Sequence, residues 1–164
     1  MTAPVPISRG WIVASVAVLG VAVLAVLPPV VGGEAGGLIR ALFSGVCHQL
    51  PDRSPHVAGG PIALCHRCSG ILAGLCVGVL TVPLAGPSRV RWMVGGPMVL
   101  WLLVALLPTL IDWALGAFGV WPNTAVSRLL TGGLFGCVAG ALLGANLLHP
   151  RLSAATSGGP AHVR

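Results

Sequence analysis

Four apolar runs, at residues 11–31, 61–84, 92–111 and 128–148, set what this chain can become. A helix needs roughly 20 residues to cross the hydrocarbon core of a bilayer, and each run meets that length. Backbone polar groups in lipid must be satisfied within the segment, so the runs are read as α-helices. Composition agrees: hydrophobic residues make up 55% of the chain and charged residues 7%, too few to cover a soluble domain. The expected fold is an all-α membrane protein, a bundle of four transmembrane helices forming one domain over residues 1–150. The first run follows Arg9 as a signal peptide would, but it exceeds a signal core of about 7–15 residues and three more runs follow. It is read as a retained helix.

The connections are unequal. A long segment at 32–60 joins the first two runs, a basic turn at 86–91 the next pair, and a Gly/Pro/Asn connection at 112–127 the last. Within the long segment Ile39, Leu42, Phe43, Val46 and Leu50 recur at helical spacing. This predicts an interfacial helix that carries Cys47 and His48 to the mouth of the bundle and stops at the prolines Pro51 and Pro55. Residues 32–68 together form a Cys/His cap, and the small, polar tail at 151–164 is expected to be disordered.

All nine basic residues are Arg, and they fall at segment ends. A formal charge of +6 suits nucleic acid only when basic residues form a stripe with aromatic platforms, which is absent, so no nucleic-acid partner is expected. Membrane lipid is the expected surrounding. With four spans both termini share a side, which collects Arg9, Arg89, Arg91, Arg151 and Arg164, while the other side holds Arg40, Arg53, Arg67 and Arg128. Short cytoplasmic loops are enriched in Arg. The tight turn carrying Arg89 and Arg91 therefore assigns the termini to the cytoplasm of a cell-membrane protein and the cap to the extracytoplasmic face. Trp11, Trp92, Trp113 and Trp121 near the span ends read as an interfacial aromatic belt.

Two rows of small residues mark spans two and four. Gly70, Gly74 and Gly78 repeat every four residues, as do Gly132, Gly136, Gly140 and Gly144. In lipid such rows let two helix backbones approach closely and gain dispersion contact, so these spans are expected to pack on each other. Arg128 stands one turn before Gly132 on the same stripe, aimed at the mouth of span two, with Asp112 as its nearest acidic candidate.

The pattern Cys47-His48-Gln49, Arg53-Ser54, Cys65-x-Arg67-Cys68-x-Gly70, Asp112, Asn123 and Arg128-x-x-Thr131-Gly132 resembles a family of small predicted bacterial and archaeal membrane proteins of unknown function. The likeness runs from about Cys47 to Gly136. It implies an integral-membrane protein whose signature includes those positions, and no activity. His66 stands where the family usually has a small residue, and Asp112-Trp113 where it has an Asp-Gly pair.

Soft and titratable groups are concentrated in the cap, and two chemistries compete for them. In the metal reading Cys47, Cys65 and Cys68 supply thiolates and His48 an imidazole, a set that suits zinc, or copper as Cu(I) with fewer ligands. The partner is then a metal ion or a small molecule handled by it. Gln49, Arg53, Arg67, Asp112, Asn123, Arg128 and Thr131 would support the site, the arginines by offsetting thiolate charge. In the redox reading Cys65 and Cys68 form a dithiol at a helix N-terminus that exchanges with Cys47 and passes electrons to a membrane quinone. A third reading makes the cysteines a staple for the loop in a scaffold protein. Cys76 and Cys137 lie inside spans and read as packing residues. No nucleotide loop, paired carboxylates or His-Glu-x-x-His helix points to a standard enzyme class.

Overall fold

A computed structural model describes residues 7–157, with side chains as far as His149. Four helices are long and apolar enough to span a membrane: Arg9–Val26, His66–Ala85, Met98–Ala117 and Ala125–His149. Many of their large apolar side chains point outward, among them Val13, Val16, Leu103, Leu107 and Leu130, which is the reverse of a soluble protein and suits a lipid surround.

Helix α1 (Arg9–Val26) begins at Ser8, whose hydroxyl accepts from the Trp11 amide at 3.0 Å. It stops before Pro28-Pro29, and 28–31 becomes a separate turn, α2 (Pro28–Val31), so the first span is shorter than the apolar run. Hydropathy cannot register that break because proline and valine are both apolar. Helix α3 (Gly33–Phe43) follows in the cap, ending earlier than the periodicity suggests. Phe43 is buried and Ile39 half-buried, whereas Leu42, Val46 and Leu50 are exposed, so the apolar stripe is split between the bundle and the outside.

The cap also holds a small hairpin, β1 (His56–Val57) antiparallel to β2 (Gly60–Pro61). Its two turn residues, Ala58 and Gly59, have φ of 48° and 81°, the left-handed pair that a tight hairpin requires. Strands of two residues leave no periodicity to read. Residues 61–65 are therefore not helical, and α4 (His66–Thr81) starts at Cys65 as its cap residue rather than at Pro61. Pro83 closes α4 in a 3₁₀ turn at Val82–Ala85.

The third apolar run divides. Its start belongs to α5 (Pro87–Gly95), and Gly96-Pro97 separates this from α6 (Met98–Ala117). Helix α6 continues past Ile111, so Asp112 lies inside a helix rather than at its end. Helix α7 (Ala125–Ser157) starts before Arg128, because Thr124 and Ser127 cap it reciprocally through amide-to-hydroxyl bonds of 3.1 Å each. It also runs through 151–157, where the sequence suggests disorder; residues 158–164 lie outside the described residues.

The bundle is organised around α4 and α7. Their glycine rows face each other with backbone against backbone. A Cβ on Gly70 would meet the Leu129 carbonyl, on Gly74 that of Gly133, and on Gly78 that of Cys137. From the other side, Gly132, Gly136 and Gly140 lie against the carbonyls of Arg67, Ile71 and Leu75, and Gly144 against Val82. Small residues at every fourth position are what permit this approach. Helices α1 and α6 flank the pair, and Thr109 of α6 donates to the Thr131 carbonyl of α7 at 3.0 Å.

Candidate metal centre

Three cysteines converge where the cap meets the start of α4. The Sγ atoms of Cys47, Cys65 and Cys68 all lie within 4.8 Å of one another, with Cys47 buried and the other two half-buried. Local structure explains the convergence. After α3 the Cys47 amide still bonds to the Phe43 carbonyl at 3.0 Å, so a last turn delivers its side chain inward. Gln49, with φ of 51°, then reverses the chain, and its side-chain amide donates to the Arg40 carbonyl at 2.7 Å. On the other arm the Ala63 amide bonds to the Ala25 carbonyl at 2.9 Å, anchoring the segment that leads to Cys65. Cys65 caps α4 and Cys68 stands one turn further on.

The sulfurs sit among donors. The Cys65 amide donates to Cys47 Sγ at 3.2 Å. A bond from the Cys68 thiol, backbone amides of Cys68 and Arg67, and the Cys47 thiol hold the Cys65 pKa down to about 4, against the burial that raises it. Cys65 is thus held ready to act as a thiolate, the form that binds metals and attacks disulfides.

Beside the thiols a hydrogen-bonded chain crosses three helices. Arg67 Nη2 of α4 donates to Asp112 Oδ2 of α6 at 2.6 Å. Asn123 donates to the same oxygen at 2.9 Å and to the Asp112 carbonyl at 2.8 Å, while its own Oδ1 accepts from Arg128 Nε of α7. Asp112 therefore pairs with Arg67, and Arg128 reaches it only through Asn123. Gly116 makes room for this, since a Cβ there would come within 2.8 Å of Asn123 Cβ. That glycine carries no motif and was invisible in the sequence.

The sequence-derived set is thus partly assembled. Cys47, Cys65, Cys68, Arg53, Arg67 and Arg128 line one pocket of about 360 Å³. His48 also lines it but is exposed and outside the three-sulfur group, so the cluster is three thiols without the imidazole that the sequence suggests. Adjacent residues in a turn face apart, and Cys47 is the one turned inward. Gln49 serves the end of α3. The Thr131 hydroxyl donates to the Ser127 carbonyl of its own helix at 2.8 Å, so it supports α7 and not the site. His66 is half-buried, and its Nδ1 donates to the Arg53 carbonyl at 2.6 Å, which pins the turn at Pro51–Arg53 to the start of α4. Trp113 and Trp121, read as belt residues, also line a neighbouring cavity.

The segment holding these residues is the segment that has relatives. Residues 47–142 match a family described as predicted membrane protein (DUF2085). The chain belongs to this family. An uncharacterized protein of Methanocaldococcus jannaschii is 31% identical over 98 residues, 60% of this chain and 61% of that protein. The chain thus spans under two thirds of that relative's length. No solved structure matches the chain. The family match opens at Cys47 and takes in α4 through most of the membrane part of α7, so it contains the thiols and the Arg67–Asp112 pair, together with the glycines from Gly70 to Gly140, and leaves α1 outside.

Proposed function

We propose that this chain is a metal-binding protein of the cell membrane that holds one thiophilic ion between Cys47, Cys65 and Cys68. The observation that carries the reading is the mutual approach of three sulfurs, drawn from two segments, to within 4.8 Å. A disulfide uses two sulfurs; a third in the same position favours a shared cation. Three thiolates suit Cu(I) in trigonal coordination, or zinc with a fourth position left for an exchangeable ligand. An exchangeable position fits the handling of a metal or a small catalytic site better than a closed structural site does. The guanidiniums of Arg53, Arg67 and Arg128 beside the sulfurs would offset the negative charge of such a cluster. Because those three arginines belong to the site, the topology rests on Arg9, Arg89 and Arg91 at the opposite end, which favours a cytoplasmic N-terminus and an extracytoplasmic cap.

Metal analysis of protein purified without chelator tests this. About one zinc or copper per chain is expected, lost in Cys47→Ser and Cys65→Ser and kept in Cys76→Ser. A metal-free wild-type preparation with three alkylatable cap thiols overturns it. A membrane-impermeant thiol reagent applied to intact cells after chelation checks the orientation: Cys47 should label before Cys76 or Cys137.

One observation favours a second reading. The low pKa of Cys65 beside the Cys68 thiol suits a thiol-disulfide oxidoreductase, in which the two thiols give two electrons and two protons to a quinone as their disulfide forms. A Cys65–Cys68 disulfide by mass spectrometry and quinol formation from added dithiol would select it.

A further inference from the structure

A second cavity of about 520 Å³ adjoins the thiol pocket, and the two share Arg53, Arg67, Trp113 and Arg128 as a common wall. Its charge is unbalanced. Three guanidiniums face one carboxylate, that of Asp112, and Asp112 is already bonded to Arg67. Arg53 has no ion pair or side-chain hydrogen bond among the described residues. Arg128 finds only the neutral Asn123. Arg67 retains a buried Nε–H with no acceptor. A thiolate at Cys65 leaves the surplus positive. Like charges gathered at the mouth of a low-dielectric bundle repel one another, and an anion among them relieves that repulsion.

Size and shape narrow the anion. The volume falls within the range of small-molecule sites and exceeds what a bare inorganic ion fills. Guanidinium forks match the oxygens of phosphate in pairs, and more than one fork is free here. Trp113 and Trp121 give the remaining wall an aromatic surface against which the rest of a ligand can lie. A phosphate monoester carries about −1.5 to −2 at neutral pH and offers three acceptor oxygens to the guanidiniums.

We propose that the cavity walled by Arg53, Arg67 and Arg128 binds a phosphate group, belonging either to a lipid headgroup or to a free phosphate compound, directly beside the thiol pocket. This cavity is walled by the arginines and not by the sulfurs, so the two readings are tested separately, although thiolates on a bound ion would use part of the same positive charge.

The test uses the full chain in an uncharged maltoside detergent at low salt. Inorganic phosphate is titrated by calorimetry, and phosphatidylglycerol is compared with phosphatidylcholine by native mass spectrometry. Binding at one site is expected, weakened about tenfold or more in Arg53→Gln, since a charge-assisted hydrogen bond to the anion is lost. Arg53 is exposed and unpaired among the described residues, so this variant should fold, and Arg89→Gln at the other end should bind as the wild type does. Cys65→Ser should keep phosphate binding, so the metal reading and this one fail separately. Retention of phosphatidylglycerol that phosphate displaces and Arg53→Gln loses identifies a headgroup as the source. Phosphate binding without lipid preference identifies a free compound. Failure of both anions to bind, or wild-type binding by both Arg53→Gln and Arg128→Gln, overturns the proposal.

Discussion

Arg67 and Asp112 meet at 2.6 Å, joining the first turn of the thiol-bearing helix to the last turns of α6. Asp112 is 8% exposed and Arg67 21%, so the pair is largely withdrawn from water. Through Asn123 the same carboxylate also holds Arg128 on α7. Close glycine packing fixes α4 against α7 along their length, and this polar chain fixes where their site ends lie relative to α6. A cluster of three sulfurs assembled from separate segments depends on both.

Asp112→Asn should therefore destabilise the protein by about 3 kcal/mol, the low end for breaking a buried ion pair because Arg67 keeps some solvent. Thermal unfolding in detergent reads the loss. Replacing both partners by apolar residues, Arg67→Met with Asp112→Leu, should recover much of it, since no buried charge is then left alone. A double variant less stable than Asp112→Asn would mean the pair is held by contacts other than its charge.

The glycine rows make a position-specific prediction. Gly136→Ala places a Cβ on the Ile71 carbonyl, backbone that cannot step aside, and should cost about 1–3 kcal/mol as overpacking. Gly133→Ala should be neutral or better, since its nearest neighbour across the interface is the Gly70 carbonyl at an ordinary 3.7 Å. Both substitutions remove one glycine from the same helix, so equal effects would point to helix propensity rather than close packing. Gly136→Leu should in addition weaken metal retention at Cys65 and Cys68, because those residues ride on the helix it displaces.

What could be read from the chain follows what each physical signal reports. Four membrane-length runs and two rows of glycine at helical spacing are long-range regularities, and the helices and the α4–α7 contact rest on them. Boundaries rest on single residues, and there hydropathy is blind: Pro28 ends α1, Gly96-Pro97 splits α5 from α6, and Thr124 with Ser127 moves the start of α7. The three cysteines were visible as soft ligands, yet whether Cys47 or His48 faces inward depends on one turn after Phe43. The choice of Arg67 over Arg128 as the partner of Asp112 depends on the rotation of two helices, which no spacing encodes.

Cys65 should react as a thiolate far below the usual thiol range. In reduced, metal-free protein its alkylation rate should be nearly level from about pH 6 to pH 9, whereas an ordinary thiol gains about tenfold per pH unit below its pKa. Cys68→Ala removes the largest cause of the shift and should return the profile towards the ordinary value of 9.0. The folded pKa lies below the unfolded one, so the thiolate's contribution to stability is complete above about pH 9 and is lost as pH falls through about 4. A steep rise in alkylation through about pH 8 would show that Cys65 is protonated at neutral pH.

His48 and Cys47 are adjacent, and the structure gives them different duties. Cys47 is 5% exposed and accepts the Cys65 amide, so Cys47→Ser removes both a proposed ligand and the acceptor that orients the start of α4. It should abolish stoichiometric metal. His48 stands outside the sulfur group, so His48→Ala should keep one ion per chain and lower affinity at most about 10–100-fold, the range for a residue that only supports the ligands. Competition with a chelator of known affinity measures both variants on one scale. A His48→Ala protein that holds no stoichiometric ion, as expected of Cys47→Ser, would mean that the imidazole swings inward on binding and supplies the fourth ligand.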